Sequence, residues 1–143
     1  MALRPALETD AAAVAGLSTQ LGYPTRPEEA LARLRDLAGR SDDAVLVAEE
    51  EGTGRVIGWI HVCGVRRVES PPFAEIAGLV VDEGQRGRGT GAALVEAAAA
   101  WARAHGDSTL RVRSNTVRER THAFYERQGF ARTKTQVVLA LEL

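Results

Sequence analysis

Cysteine is almost missing from this 143-residue chain. Cys63 stands alone, so no disulfide can form within one copy. That suits a reducing compartment. No Cys/His spacing of the metal-binding kind is present, so no metal is expected. Nor is there a long apolar run. The nearest approach, Ala92 to Ala104, is interrupted by Glu96 and Arg103 and is too short to span a bilayer. The first residues, Met1-Ala-Leu-Arg-Pro, carry no apolar signal core. Together these absences lead us to expect a cytoplasmic location. Charge of one sign is lacking too. The formal net charge is -1, and the arginine clusters at 66–67, 86–88 and 111–120 are short and interleaved with Glu. Bulk binding to a phosphate backbone is therefore not expected. Repeats and low-complexity linkers are also absent.

What is present reads as one domain with one core, spanning 1–143. A short strand over Met1–Pro5 precedes Asp10, which stands where an N-cap belongs. A helix then runs to Leu21 and is stopped by Gly22. Thr25-Arg-Pro-Glu28 predicts a second helix start, with Thr25 as cap and Glu28 as its capping partner. That helix reaches about Leu37, with Leu31, Leu34 and Ala38 on one face. Strands are expected over 44–48 and 55–65, the second rich in Val, Ile and Trp. The segment 69–72 is expected to be a loop because Pro71-Pro72 opposes regular structure. A nearly all-apolar strand over 74–81 follows, then a Gly-Arg loop and a helix over 92–105 ended by Gly106. Another strand over 109–113, a helix over 118–128 and one or two tail strands in 130–143 complete the pattern. The order βααβββαβαββ is a mixed α/β fold with a central sheet.

The most informative segment is Leu79-Val-Val-Asp-Glu-Gly-Gln-Arg-Gly-Arg-Gly-Thr-Gly-Ala-Ala-Leu94. A buried strand enters a Gly-rich loop that opens a helix. Gly87, Gly89 and Gly91 let backbone N–H groups approach an anion, and the helix start adds unpaired N–H groups and partial positive charge. Arg86 and Arg88 add formal charge. A nucleoside-triphosphate loop would need Gly-x-x-x-x-Gly-Lys-Ser/Thr. Here Gly84 and Gly89 have the spacing, but Thr90 follows where Lys should stand. A dinucleotide fingerprint fits formally as Gly87-x-Gly89-x-x-Ala92. It asks for an acidic residue about 20 positions on, where Ser114-Asn115 stands instead. A plain Gly-rich turn is the remaining reading.

Arg86-x-x-Gly89-x-Gly91 also resembles the Arg/Gln-x-x-Gly-x-Gly/Ala motif of the GNAT acetyltransferases. It is preceded by Glu75-Ile-Ala-Gly-Leu-Val-Val81 and followed by Leu110-Arg-Val-Arg-Ser-Asn115 and Ala123-Phe-Tyr-Glu-Arg-Gln-Gly-Phe130. Those segments are similar to the family's fourth strand, fifth strand and aromatic-Tyr signature. The element order agrees along the chain, and the motifs are specific across 75–130.

The resemblance implies an acyl-CoA N-acyltransferase fold, with a mostly antiparallel sheet whose fourth and fifth strands splay apart. It implies acetyl-CoA as co-substrate and an amine as acceptor. Backbone groups of Leu79, Val80 and Val81 would pair with the pantetheine arm. Arg86, Gly87, Arg88, Gly89, Thr90 and Gly91 would hold the pyrophosphate, and Asn115 the pantetheine from the other side. Tyr125 would be the acid for the departing thiolate, and Glu75 the base, acting through water. Glu83-Gly84 departs from the family's Pro or Asp before the Arg and is expected to make that turn more flexible, which Gly84 offsets by allowing positive φ. The acceptor would be walled by 21–25, 66–73 and 133–136, and Glu69 and Glu75 favour a cationic amine. Many relatives form homodimers, so pairing of two copies is implied. A non-catalytic acyl-CoA-binding module on the same fold is the alternative. Cys63, Trp101 and His61 read as structural residues, His122 as a helix-surface residue, Glu49–Glu51 as a solvated turn, and His105 as a cation favouring its helix C-terminus.

Overall fold

The computed structural model describes residues 1–143, whose packing separates into two units, Met1–Val112 and Arg113–Leu143. In the first, β1 (Ala2–Pro5) leads through a 3-10 turn at Glu8–Asp10 into α1 (Ala11–Leu21) and α2 (Pro27–Ala38). Strands β2 (Asp43–Glu49), β3 (Val56–Arg67) and β4 (Ser70–Val81) follow, then α3 (Thr90–His105) and β5 (Leu110–Val112). The sheet order is β1-β2-β3-β4-β5, antiparallel throughout except that β4 and β5 run parallel. The second unit holds α4 (Glu119–Arg127) and the tail that follows it. No helix is long and apolar enough to cross a membrane.

Side chains sort to the two sheet faces by strand alternation. Val45, Val47 and Trp59 pack with Ala11, Val14, Ala15, Ala30 and Leu34 of α1 and α2. Leu94, Val95, Ala98 and Ala102 form the buried stripe of α3, at helical spacing. The first corner is fixed by charge. Arg4 donates two hydrogen bonds to Asp10, at 2.8 and 2.9 Å, and a third to Glu49 at 3.1 Å. Asp10 also accepts the Leu7 N–H at 2.7 Å. The guanidinium holds the buried Asp10 carboxyl below its ordinary range. Asp10 therefore stands at the N-cap of α1 without capping it, because its oxygens are committed to Arg4 and Leu7.

Other expectations shift in instructive ways. Helix α2 starts one residue later than its cap pattern suggested. Arg26 is the N-cap and Glu29 reaches back to its N–H at 2.9 Å, while the Thr25 hydroxyl turns to the Tyr23 carbonyl. Pro71 and Pro72 lie inside β4, not in a loop. They oppose Arg66 where the β3–β4 register slips between Val65 and Arg67, and β5 reaches only from Ala74 onward. A proline's missing N–H is harmless at such a bulge on an open edge. The tail 130–143, where one or two strands were expected, forms no strand.

Trp59 shows why Gly78 must lack a side chain. A Cβ at Gly78 would come within 2.8 Å of the indole. Gly78→Ala should therefore cost roughly 1–3 kcal/mol through overpacking. Urea unfolding followed by Trp fluorescence measures this, and an unchanged midpoint would show that the indole moves aside freely.

At the far end of α3, His105 lies between two carboxylates. Nδ1 is 2.7 Å from Asp107 and Nε2 is 2.9 Å from Asp42, while Arg66 binds Asp107 at 3.0 Å. The ring also stacks on the half-buried Trp101, with centroids 4.5 Å apart. Asp107 raises the imidazole above its ordinary range, chiefly through its hydrogen bond. Burial opposes the rise, Asp42 adds to it, and Arg66 works against it. A raised folded value stabilises the fold fully below the unfolded value of about 6.5, and that contribution fades as pH climbs through the folded value. The melting temperatures of the parent and His105→Gln should differ most below about pH 6 and converge as the medium turns alkaline. A gap that does not change with pH would mean that no proton is coupled to this contact.

Candidate functional site

The site is built on a mismatch in the sheet. Opposite β3, His61 pairs with Gly78 but Val62 pairs with Ile76, so Ala77 is an extra residue on β4. A bulge of this kind kinks the strand and interrupts its ladder. On the other side of β4, pairing with β5 covers Ala74, Glu75 and Ile76 and goes no further. Beyond the bulge, Gly78 to Val81 keep β3 on one side and have no strand on the other. The splaying of strands four and five is thus present as a short parallel ladder that ends at the bulge. An unpaired strand edge offers N–H donors and C=O acceptors to an extended ligand.

That edge runs directly into the glycine loop. After a 3-10 turn at Glu83–Gln85, Gly87 and Gly89 both take left-handed conformations, with φ of 79° and 83°. A side chain at either would be strained. Gly89 is the N-cap of α3, and no side chain caps the helix start. The N–H groups of the first turn, from Thr90 and Gly91 onward, therefore remain for an external acceptor. Arg86 and Arg88 are exposed beside them. Gly84, expected to have positive φ, does not: it sits inside the 3-10 turn, and the left-handed positions fall on Gly87 and Gly89.

Three residues that sequence reasoning overlooked hold this loop. Gln20 of α1 donates to Asp82 at 3.0 Å and accepts the Glu83 N–H at 3.1 Å. Its amide, helped by Arg55, holds the Asp82 carboxyl below the ordinary range. Glu50 accepts from Gln85 at 2.9 Å. The Glu49–Glu51 turn was read as plainly solvated, but Glu49 binds Arg4 and Glu51 binds the N-terminal amine at 3.1 Å. No local motif signals contacts between residues so far apart in the chain.

Glu75 is half-buried, two residues before the bulge, with Cys63 and Arg111 as its cross-strand neighbours. The Arg111 guanidinium lies 3.9 Å from the centroid of the Phe73 ring, a cation–π contact on the same strand pair. His61 binds Asp43 at 2.7 Å, in keeping with a structural role. Cys63 is half-buried.

In the second unit, Asn115 turns its side chain onto its own loop and accepts the Val117 N–H at 3.1 Å. Its carbonyl accepts from the Arg118 N–H at 3.0 Å and from the His122 ring at 2.9 Å. His122, expected on the helix surface, thus helps fix the Asn115 loop. Tyr125 is buried, with Phe124 and Phe130 edge-on at 5.1 and 5.3 Å. Burial pushes its phenol up to about 12. Residues 133–136, expected to wall an acceptor site, lie in the exposed tail, and 66–73 form strand ends rather than a loop.

The chain's relatives agree with this geometry. A family model described as "Acetyltransferase (GNAT) family" matches residues 12–130. A putative acetyltransferase from Agrobacterium tumefaciens superposes with a TM-score of 0.84 at 26% identity, covering 99% of this chain and 100% of that one. An acetyltransferase from Trypanosoma brucei gives 0.81 at 27% identity, with 98% and 99% covered. An aminoglycoside antibiotic 6'-N-acetyltransferase from Acinetobacter haemolyticus gives 0.85 at 19% identity, covering 100% and 99%, which is a likeness of fold alone. Among curated proteins no sequence matches. With its parted β4, its left-handed glycine loop and its uncapped helix start, this chain belongs to the GNAT family of acetyltransferases.

Proposed function

We propose that all 143 residues act as one N-acetyltransferase domain. It moves an acetyl group from acetyl-CoA to a primary amine of a small molecule, peptide or protein, by direct attack in a ternary complex. The observation that carries this reading is the unpaired edge of β4 running into a loop of left-handed glycines and an uncapped α3. The donor fits those features. Its pantetheine arm is an extended amide chain suited to the free backbone of Leu79, Val80 and Val81. Its pyrophosphate suits the N–H groups of Gly87 to Gly91, with Arg86 and Arg88 for charge and Thr90 at the helix start. The Asn115 amide would serve the pantetheine as well.

Acetyl-CoA supplies the activated acetyl group as a thioester. The chain's own part is to position and to move protons. The Val81 N–H would draw electron density from the thioester carbonyl, in the manner of an oxyanion hole. An ammonium cannot attack, so Glu75 would accept the amine's proton through a water molecule. A phenol raised to about 12 keeps its proton across the physiological range, so Tyr125 can offer that proton to the sulfur as the C–S bond breaks. The carboxylates of Glu69 and Glu75 favour a cationic acceptor.

Acetyl-CoA at 100 times its dissociation constant should add about 2.7 kcal/mol and raise the melting temperature by several degrees, whereas ATP and NAD should not. A shift with ATP or NAD alone would reassign the glycine loop. Tyr125→Phe should lower kcat on the order of 10²-fold while the acetyl-CoA shift persists. Thiol release with a panel of amines reads both. Undiminished turnover in that variant would remove Tyr125 from the chemistry, and a thermal shift without any thiol release would identify a binding module.

A further inference from the structure

Phe73 is buried although it lies near the start of β4, and two arginines reach its ring. The Arg67 guanidinium carbon stands 5.2 Å from the ring centroid, and that of Arg111 stands 3.9 Å from it. Each contact is a cation–π interaction. Two like charges drawn to one ring also repel each other, and an anion between them would relieve that. None is supplied by the chain. Neither guanidinium forms an ion pair or a side-chain hydrogen bond, whereas Arg4, Arg40, Arg55 and Arg66 each bind a carboxylate. Arg67 is exposed and Arg111 half-buried. An aromatic ring does not use up the planar fork of N–H donors that a guanidinium presents, and that fork matches a carboxylate.

The register of the sheet sets this pair of charges beside the reaction site. Arg111 is the β5 partner of Glu75. Phe73 lies two residues before Glu75, on the same face of β4 by alternation. Along β4 the order is therefore the two guanidiniums at Phe73, the carboxylate of Glu75, the bulge at Ala77, and the bare edge from Gly78 onward. Two residues of strand span about 7 Å. A group held at Phe73 thus stands several bonds away from one held at Glu75.

We propose that Arg67 and Arg111 form an anion subsite for the acceptor, which is then an amine carrying a carboxylate several bonds away, of the ω-amino acid type. Its carboxylate lies against the two guanidiniums while its amine faces Glu75. A zwitterion meets the right sign at both ends. A diamine would set a second cation against the arginines, so the same pair that attracts the acid repels the diamine. This subsite rests on the acyl-transfer reading for the place of the amine.

Thiol release with γ-aminobutyrate, δ-aminovalerate and ε-aminocaproate, each beside its carboxamide and the diamine of equal length, tests it. At least one acid should exceed its amide in kcat/KM by about 10-fold or more. Arg67→Gln and Arg111→Gln should each lower that preference about 10-fold, chiefly through KM. Arg111→Lys, which keeps the charge and loses the fork, should retain part of it. Acids no better than their amides overturn the proposal. So does a pair of Gln variants that slow acid and amide alike with the preference intact, which is the mark of a structural role. Arg67 is exposed, so Arg67→Gln decides if Arg111→Gln does not fold. Should no amine release thiol, the acyl-transfer reading falls, and calorimetric titration of δ-aminovalerate into the parent and into Arg67→Gln decides the subsite by itself. Binding that weakens in the variant upholds it, and equal or absent binding overturns it.

Discussion

At Ala77 strand β4 carries one residue more than β3 can match, and the bare edge beyond Ile76 depends on that surplus. A regular strand at this position could pair along its whole length on both sides. With Ala77 inserted, the ladder to β5 stops at Ile76 and the next residues present bare backbone on one edge. Bare backbone in mid-sheet is normally a liability, since each unpaired N–H or C=O forgoes a hydrogen bond. Its persistence beside a loop of two left-handed glycines and an uncapped helix makes sense where a ligand completes all three. Trp59 over Gly78 then shows how closely the core is fitted to the kinked strand.

Around this opening, the first unit is tied by polar contacts that act at its corners and not in its core. Arg4, Asp10 and Glu49 hold the start of the chain to β2. Gln20, Arg55 and Glu50 hold the glycine loop from three separate segments. His105, Asp42, Asp107 and Arg66 close the far end of α3. Of these groups Asp10 and Asp107 are buried, and removal of their partners would leave those two charges stranded. The apolar core between the layers is made mainly of Val, Ile, Leu and Ala, with Phe73 buried and Trp59 packed against it.

Much of this was legible in the sequence, for physical reasons that differ by element. The long helices and β3 announced themselves by periodicity and by Gly22 and Gly106, because those signals are local. The motif from Arg86 to Gly91 pointed to a sharply turned loop before a helix, and Gly87 and Gly89 take the left-handed conformations such a loop needs. The bulge at Ala77 was invisible, since an apolar residue in an apolar strand carries no mark of the register it will meet. Pro71 and Pro72 misled for the same reason: whether a proline is tolerated depends on what lies opposite. The cap of α2 slipped by one because the Thr25 hydroxyl turns back to the Tyr23 carbonyl and Glu29, not Glu28, closes on the N-cap N–H. The tail reads as a strand by composition, yet it forms none. Glu75, Asn115 and Tyr125 were named from motif position, and their catalytic parts remain proposals for the assays above.

The left-handed glycines and the bare edge of β4 have a consequence for how such a protein can change over time. In the proposed reading, recognition is written in backbone atoms and is indifferent to most side-chain replacements at Leu79, Val80 and Val81, provided that the strand persists. The grip on the donor would thus survive drift that alters volume or branching along β4, while a loss of Gly87 or Gly89 would be purged at once. Selection is then free to explore new acceptors through side chains elsewhere, without first rebuilding the machinery that delivers the acyl group.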